Sequence, residues 1–425
     1  MDHIQPLVFV PGIMGSMSNE IVPGTGNWGF GPASIVYDKF IEKLENMGYK
    51  KDETLFICYY NWKQSCNSNA KRFLYKTIER AKKVSGAKKI DVVAHSLGGL
   101  VVRTYICSDF YGDDIDKLIM LSSPNTGATD AYYLWGEGKL PDRTGDDPNL
   151  LYMIVEGYLH ILKRYYNIES TKELIHKEFK GVKELLPSKS FGSYLFYLDS
   201  QDIMRYISYD NLQYKNDFLD ELNDNYKIYR KKGITIYLIA GAGKTTTKSI
   251  QIENASFDKK NNLVKGEEKS YKIRTYEGDG TVLVKSALEM VGIKYVVQST
   301  HSDILIESEK IIRQILIRDY RRIQKQYLSQ KDMISIVVCG SGRFKLKIDE
   351  KVYRVQQNIR MKDLYYHESG KIRWLFLEKE KNKNVAVYYD AYNNETIDVL
   401  INRNNEIKRE RMMTHKLKQY QLIEA

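Results

Sequence analysis

No window of the 425-residue chain approaches the roughly 18 uninterrupted apolar residues that a membrane-spanning helix needs, so a transmembrane segment is excluded. Cysteine is scarce: Cys58, Cys66, Cys107 and Cys339 include no C-x-x-C pair and no Cys/His cluster at zinc-ligand spacing. Structural zinc held through cysteine is therefore not expected. Four reduced thiols are expected, and a Cys58 to Cys66 bridge stays open only for an exported protein. Basic blocks are missing too, because 65 Lys and Arg are interspersed with 54 acids, and the net charge of +11 therefore forms no nucleic-acid-binding arm. What the charge does imply is a mild, salt-screened attraction to anionic surfaces, with peripheral contact to lipid headgroups as one form of it. The chain opens MDHIQPLVFVPG with no basic-then-apolar leader, so the expectation is a cytoplasmic protein, or a secreted one whose leader has been removed. Internal repeats and low-complexity tracts are absent.

What is present is core-forming material. A 43 % hydrophobic and 12 % aromatic chain of this length can fill two domains, or one large domain with insertions. Leu7 to Val10 reads as a buried strand stopped by Pro11-Gly12, followed by a helix over Ile35 to Asn46 and a strand over Thr54 to Tyr60. Leu74, Ile78 and Ala81 give the spacing of a one-faced helix between Asn67 and Val84, which leads into a strand over Lys89 to Ala94. A turn, an apolar helix and another strand over Lys117 to Ser122 follow. This alternation predicts an α/β fold with a mainly parallel sheet covered on both faces.

Helix-like segments dominate from about Asp130 to Tyr229, and strands resume at Ile234 to Ala240, Tyr271 to Thr275 and Lys294 to Val297. The simplest account is a helical cap inserted between core strands over about 131–232. A closing amphipathic helix is expected from Ser302 to about Leu328. Beyond it, short strand-like runs at Met333 to Val338, Phe344 to Ile348, Val352 to Val355, Ile372 to Leu377, Val385 to Tyr389 and Thr396 to Ile401 predict a small all-β domain over 331–425. Residues 1–330 would form the catalytic domain.

The chemistry centres on Ala94-His95-Ser96-Leu97-Gly98-Gly99, between the run Ile90 to Val93 and the helix that follows. A serine on a sharp strand-to-helix turn needs small neighbours, here Ala94 and Gly98, and it faces helix N–H groups that favour the charge of a tetrahedral intermediate. A serine in that place can also merely cap a helix. Such a nucleophile needs a base on a loop after the last core strand, and His301 sits there; His95 reads as a packed histidine turned away from the serine. Asp279, in the tight loop Glu277-Gly278-Asp279-Gly280-Thr281-Val282, is the acid that would orient the imidazole. The oxyanion donors are expected from the N–H of Leu97 and a second N–H in the loop Pro11 to Ser16, Ile13 first and Met14 second. No metal or organic cofactor enters this chemistry.

Collectively, VPGIMGS at Val10 to Ser16, YNW at Tyr60 to Trp62, AHSLGG at Ala94 to Gly99, SSPNTG at Ser122 to Gly127, ELLPS at Glu184 to Ser188, GDGTV at Gly278 to Val282 and the His301 loop resemble the lecithin:cholesterol acyltransferase-like branch of the α/β-hydrolases, which includes lysosomal phospholipase A2-type enzymes and bacterial lipases and esterases. The resemblance implies an α/β-hydrolase fold with a cap that recognises acyl chains. It also implies lipase, esterase or phospholipase activity, or acyl transfer, on a lipid or other acyl ester through an acyl-enzyme on Ser96. Three positions depart from the pattern: Ala94 replaces the first glycine of the elbow, Asn61 stands where Asp is frequent, and Leu283 where Pro is usual.

Other signals weigh less. Ala240 to Thr245 looks like a phosphate loop, but Leu238 stands where the motif needs Gly and a strand-like run follows. The Tyr-rich stretch Tyr152 to Tyr166 reads as a helix packed on a sheet rather than an acyl pocket. A different function class, a binding protein whose β-domain recognises a carbohydrate, cell-wall or protein partner on a vestigial hydrolase platform, calls for exposed Tyr353, Tyr365, Tyr366 and Trp374. A third keeps the triad and changes the bond to an amide or thioester.

Overall fold

A computed structural model describes residues 4–18, 28–141, 150–225, 227–317, 331–355, 360–361, 363–380, 384–403 and 406–424. The chain divides into two compact units, one of Met1–Ser16, Lys39–Asp142 and Ser170–Arg322, the other of Met17–Asp38, Arg143–Glu169 and Ile323–Ala425.

At the centre of the first unit lies a six-stranded sheet of β1 (Leu7–Val10), β2 (Leu55–Ile57), β3 (Ile90–His95), β4 (Ile115–Leu121), β5 (Thr235–Ala242) and β6 (Ile293–Gln298). Its order is β6-β5-β4-β3-β1-β2, and every neighbouring pair is parallel. Parallel strands need crossovers, and helices supply them, among them α1 (Tyr75–Ser85) and α2 (Leu97–Cys107). Because both faces are covered, β1 and β3 are buried along their whole length; β1 (LVFV) accordingly reads as a continuous apolar run, and β3 as an apolar stretch that also buries Asp91 and His95. This is the α/β-hydrolase arrangement, with the β3 to α2 connection at the carboxyl edge of the sheet.

Three expectations change here. Tyr271 to Thr275 is not a core strand: it ends a longer strand, Leu263–Thr275, paired antiparallel with Thr246–Phe257 in a separate four-stranded sheet. The remaining strands of that sheet are Leu195–Leu198 and Met204–Tyr206, a hairpin inside the stretch read as helical. LFYL is too short for period alone to separate a strand from a buried helical turn. The closing helix is broken into Ile304–Glu307 and Glu309–Ile317, and its expected continuation to Leu328 lies outside the described residues.

The second unit holds a six-stranded and a four-stranded antiparallel sheet. Ile334, Ile336, Val338, Leu346, Leu375, Val387 and Val399 form one apolar cluster drawn from both sheets, the core of a β-sandwich. The other face of the central strand Lys331–Cys339 is covered by the helix Leu150–Tyr166. A Cβ at Gly157 would come within 2.8 Å of the Trp374 ring, so only glycine lets the helix approach this closely. Arg164 pairs with Asp398 and Arg409 with Glu156. The Tyr-rich helix therefore packs on a sheet, and that sheet belongs to the sandwich. Residues 131–232 accordingly do not behave as one cap, since the helix Leu150–Tyr166 falls in the second unit and residues 170–232 in the first.

Trp374, Tyr366 and Tyr365 are buried, and of the aromatic row that would mark a binding face only Tyr353 is exposed. All four cysteines are free, Cys58 and Cys66 included. Among the described residues no helix is long and apolar enough to cross a membrane.

Candidate active site

The sharp turn between β3 and α2 puts Ser96 at φ 54°, ψ −127°, a left-handed conformation that a non-glycine residue adopts only when its surroundings enforce it. What enforces it is backbone packing. A Cβ at Gly98 would lie 2.4 Å from the Val10 carbonyl oxygen and 2.6 Å from that of Pro11, so the first turn of α2 rests directly on the end of β1. The Ser96 N–H donates to the Leu121 carbonyl (2.9 Å), tying the elbow to the end of β4. Leu97 is the first helical residue, one of those whose N–H has no partner within its own helix.

His301 and Asp279, separated in sequence from Ser96 and from each other, meet it in one hydrogen-bonded chain. His301 Nε2 is 2.9 Å from Ser96 Oγ, and His301 Nδ1 is 2.8 Å from Asp279 Oδ2. All three residues are buried. Asp279 Oδ1 accepts from the N–H groups of Thr281 (2.9 Å) and Val282 (2.7 Å), so the tight loop itself stabilises the second oxygen of the carboxylate. Burial pushes the Asp279 carboxyl upward, but the charge and N–H of His301, the Val282 N–H and the Ser122 hydroxyl outweigh it and hold the group below its ordinary value. An ionised Asp279 fixes the proton of His301 on Nδ1, which leaves Nε2 to accept the serine proton.

Each loop of the site is anchored. Asp279 N–H donates to the Val282 carbonyl (3.2 Å) and the His301 N–H to the Asp279 carbonyl (2.9 Å). His95, expected as a packed histidine turned away from the serine, is packed, and what it packs against is the His301 loop: its Nε2 donates to the His301 carbonyl at 2.8 Å. The loop Pro11 to Ser16 carries the candidate oxyanion donors. It is held by Tyr60, whose hydroxyl donates to the Pro11 carbonyl (2.8 Å) and whose N–H donates to Ser16 Oγ (3.1 Å), and by Trp62 Nε1 on the Ser16 carbonyl (3.0 Å). Met14 stands there at φ 62°, fully buried, while Ile13 is half-buried.

Two supports were not anticipated. Ser122, at φ 46°, accepts from the Gly241 N–H (3.2 Å) and hydrogen-bonds Asp279, linking β4, β5 and the acid. Arg103, fully buried on α2, donates to the Asn125 carbonyl (3.1 Å), Asn125 Oδ1 (3.2 Å), the Leu222 carbonyl (3.2 Å), Asn223 Oδ1 (2.7 Å) and the Tyr229 hydroxyl (3.1 Å). A lone cation in the otherwise apolar LGGLVVRTYIC was the sequence signal for the second; nothing local announces the first. Ser188, whose N–H donates to the Thr126 carbonyl (2.9 Å), joins ELLPS to SSPNTG, so both motifs are scaffolding behind the site. The phosphate-loop look-alike is the end of β5 and the turn that leads into the strand Thr246–Phe257, with a strand and not a helix after it.

A model of the lecithin:cholesterol acyltransferase family matches residues 28–144, a stretch that contains the elbow and Ser96. This segment is lecithin:cholesterol acyltransferase-like. Asp279 and His301 lie beyond it. Phospholipase A(1) LCAT3 of Arabidopsis thaliana is 35 % identical over 95 residues, 22 % of this chain and 21 % of that protein. Lecithin-cholesterol acyltransferase-like 4 of the same plant is 32 % identical over 103 residues, 23 % of this chain and 19 % of that protein. The chain thus spans about a fifth of the length of the curated relatives it matches. Among solved structures, Bacillus licheniformis lipase BlEst2 in its propeptide form aligns over 99 % of this chain and 97 % of its own at 11 % identity and a TM-score of 0.41. Phospholipase PlaB from Legionella pneumophila, solved with thio-NAD, aligns over 98 % and 91 % at 12 % identity and a TM-score of 0.37.

Proposed function

We propose that the protein is a serine hydrolase of carboxylic esters, acting on lipid esters in the manner of a lipase or phospholipase. The observation that carries the reading is the unbroken chain from Asp279 Oδ2 through His301 to Ser96 Oγ, ending on a strained elbow at a helix N-terminus. In this reading Ser96 Oγ attacks the acyl carbonyl while His301 Nε2 takes its proton, and Asp279 stabilises the imidazolium. The tetrahedral oxyanion is met by the N–H of Leu97 and by that of Ile13 or Met14. His301 then returns its proton to the leaving alcohol as the ester C–O bond breaks, giving an acyl-enzyme. A water molecule, activated in the same way, releases the acid; an alcohol in its place gives acyl transfer. Every group in this scheme comes from the chain, without a cofactor.

A lipid ester is favoured as substrate by the likeness of residues 28–144 to the lecithin:cholesterol acyltransferase family. The net charge of +11 supports weak, salt-screened contact with anionic lipid surfaces. Hydrolysis of p-nitrophenyl esters from acetyl to palmitoyl, by wild type and Ser96→Ala, tests the reading. Turnover that falls by several powers of ten in the variant, with the fold intact, is the expected result, and the chain-length profile separates a short-acyl esterase from a lipase. Turnover retained in Ser96→Ala would overturn it.

A further inference from the structure

His301 is held at both ends of its own backbone. Its N–H donates to the Asp279 carbonyl at 2.9 Å, and its carbonyl accepts from His95 Nε2 at 2.8 Å. The first of these comes from the acid. The second comes from the residue immediately before Ser96, so one strand end carries the serine and the group that grips the base loop. The rings of His95 and His301 lie 5.0 Å apart, centroid to centroid, in a tilted contact. With the backbone carbonyl as acceptor, His95 must carry its proton on Nε2. Burial and the neighbouring His301 push its basicity down to about 3, so it stays neutral and keeps this donor fixed.

From this juxtaposition we propose that His95 is a positioning residue, fixing the register between Ser96 and His301 by gripping the His301 carbonyl. The proposal rests on the ester-hydrolase reading and deepens it. Ser96 and His301 are 205 residues apart in sequence, and their 2.9 Å contact needs two loops to keep a common frame. The bond from His95 spans those loops without touching the reacting atoms. A misplacement of about 1 Å in such a pair costs on the order of a hundredfold in rate, so loss of the tether is expected in kcat and not in substrate binding.

The test compares His95→Leu, His95→Asn and His95→Gln. An amide nitrogen on Gln reaches where Nε2 lies, and on Asn it does not. Steady-state hydrolysis of p-nitrophenyl butyrate and the second-order rate of fluorophosphonate labelling are measured for each, with thermal unfolding as the fold check. Expected are kcat and labelling rates lower by about ten- to a hundredfold in Leu and Asn, KM within about twofold, and recovery to within about threefold in Gln. Wild-type kcat and labelling in a folded His95→Leu would overturn the proposal, as would a folded His95→Gln as slow as Leu. If Leu and Asn do not fold, the Gln variant decides alone: near-wild-type rates support the tether, and a loss beyond tenfold in a folded protein contradicts it. The ester-hydrolase reading fails separately, through a wild-type chain that neither turns over nor labels.

Discussion

Asp279 is fully buried yet held ionised, because four hydrogen-bonding groups converge on its two oxygens. Replacing it with Asn keeps the shape and removes the charge that dictates which nitrogen of His301 carries the proton. Asp279→Asn should therefore lower kcat by about four powers of ten with little change in KM, as measured by steady-state ester hydrolysis. His95 gives a second expectation at this scale. Its native basicity is depressed to about 3, against about 6.5 in an unfolded chain, so between those values the unfolded state binds the extra proton. Stability from this group is complete above pH 6.5 and is lost as pH falls toward 3, at up to about 1.4 kcal/mol per pH unit. Urea unfolding at pH 7, 6 and 5 should show that slope in the wild type and a shallower one in His95→Gln. That Ser96, Asp279 and His301 come together was legible because loop position and residue type nominate them. The grip of His95 on a carbonyl 206 residues away was not, since no residue pattern records a backbone acceptor.

Elements carry the elbow. Gly98 lies against the carbonyls of Val10 and Pro11, backbone on backbone, so neither partner can yield cheaply to a new methyl group. Gly98→Ala is expected to destabilise the protein by at least the roughly 1–3 kcal/mol of an overpacked core, seen in urea unfolding, and to suppress ester hydrolysis by moving the Leu97 N–H. Strand, turn and helix at this place were readable because all three are specified within one short stretch, Ile90 to Cys107. The hairpin Leu195–Tyr206 was not. Its strands earn their state by pairing with each other and by the pairing of Leu195 with Ile250, a contact set by tertiary structure. The same holds for Leu263–Thr275, a long polar strand that a core position would have excluded but a partly exposed antiparallel sheet accepts.

Across the whole molecule, alternation of strand and helix sufficed to specify the parallel sheet, and short runs between turn residues sufficed for the β-rich C-terminal region. Which helix covers which sheet was hidden, because an apolar helix surface does not name its partner. Met153, Ile154, Ile161 and Leu162 on the helix Leu150–Tyr166 are buried, in the same compact unit as the sandwich. A chain truncated after Arg322 keeps this helix and loses the sheet it covers. It should bind the dye ANS strongly and aggregate, and a truncated chain that stays soluble and ANS-silent would refute that packing. The measurement that reaches Ser96 most directly is fluorophosphonate labelling read by peptide mass spectrometry. A single phosphonyl adduct on the Ser96 peptide, present in the folded wild type and absent from Ser96→Ala, is the predicted result. An adduct on another residue, or none on the folded protein, would contradict the account.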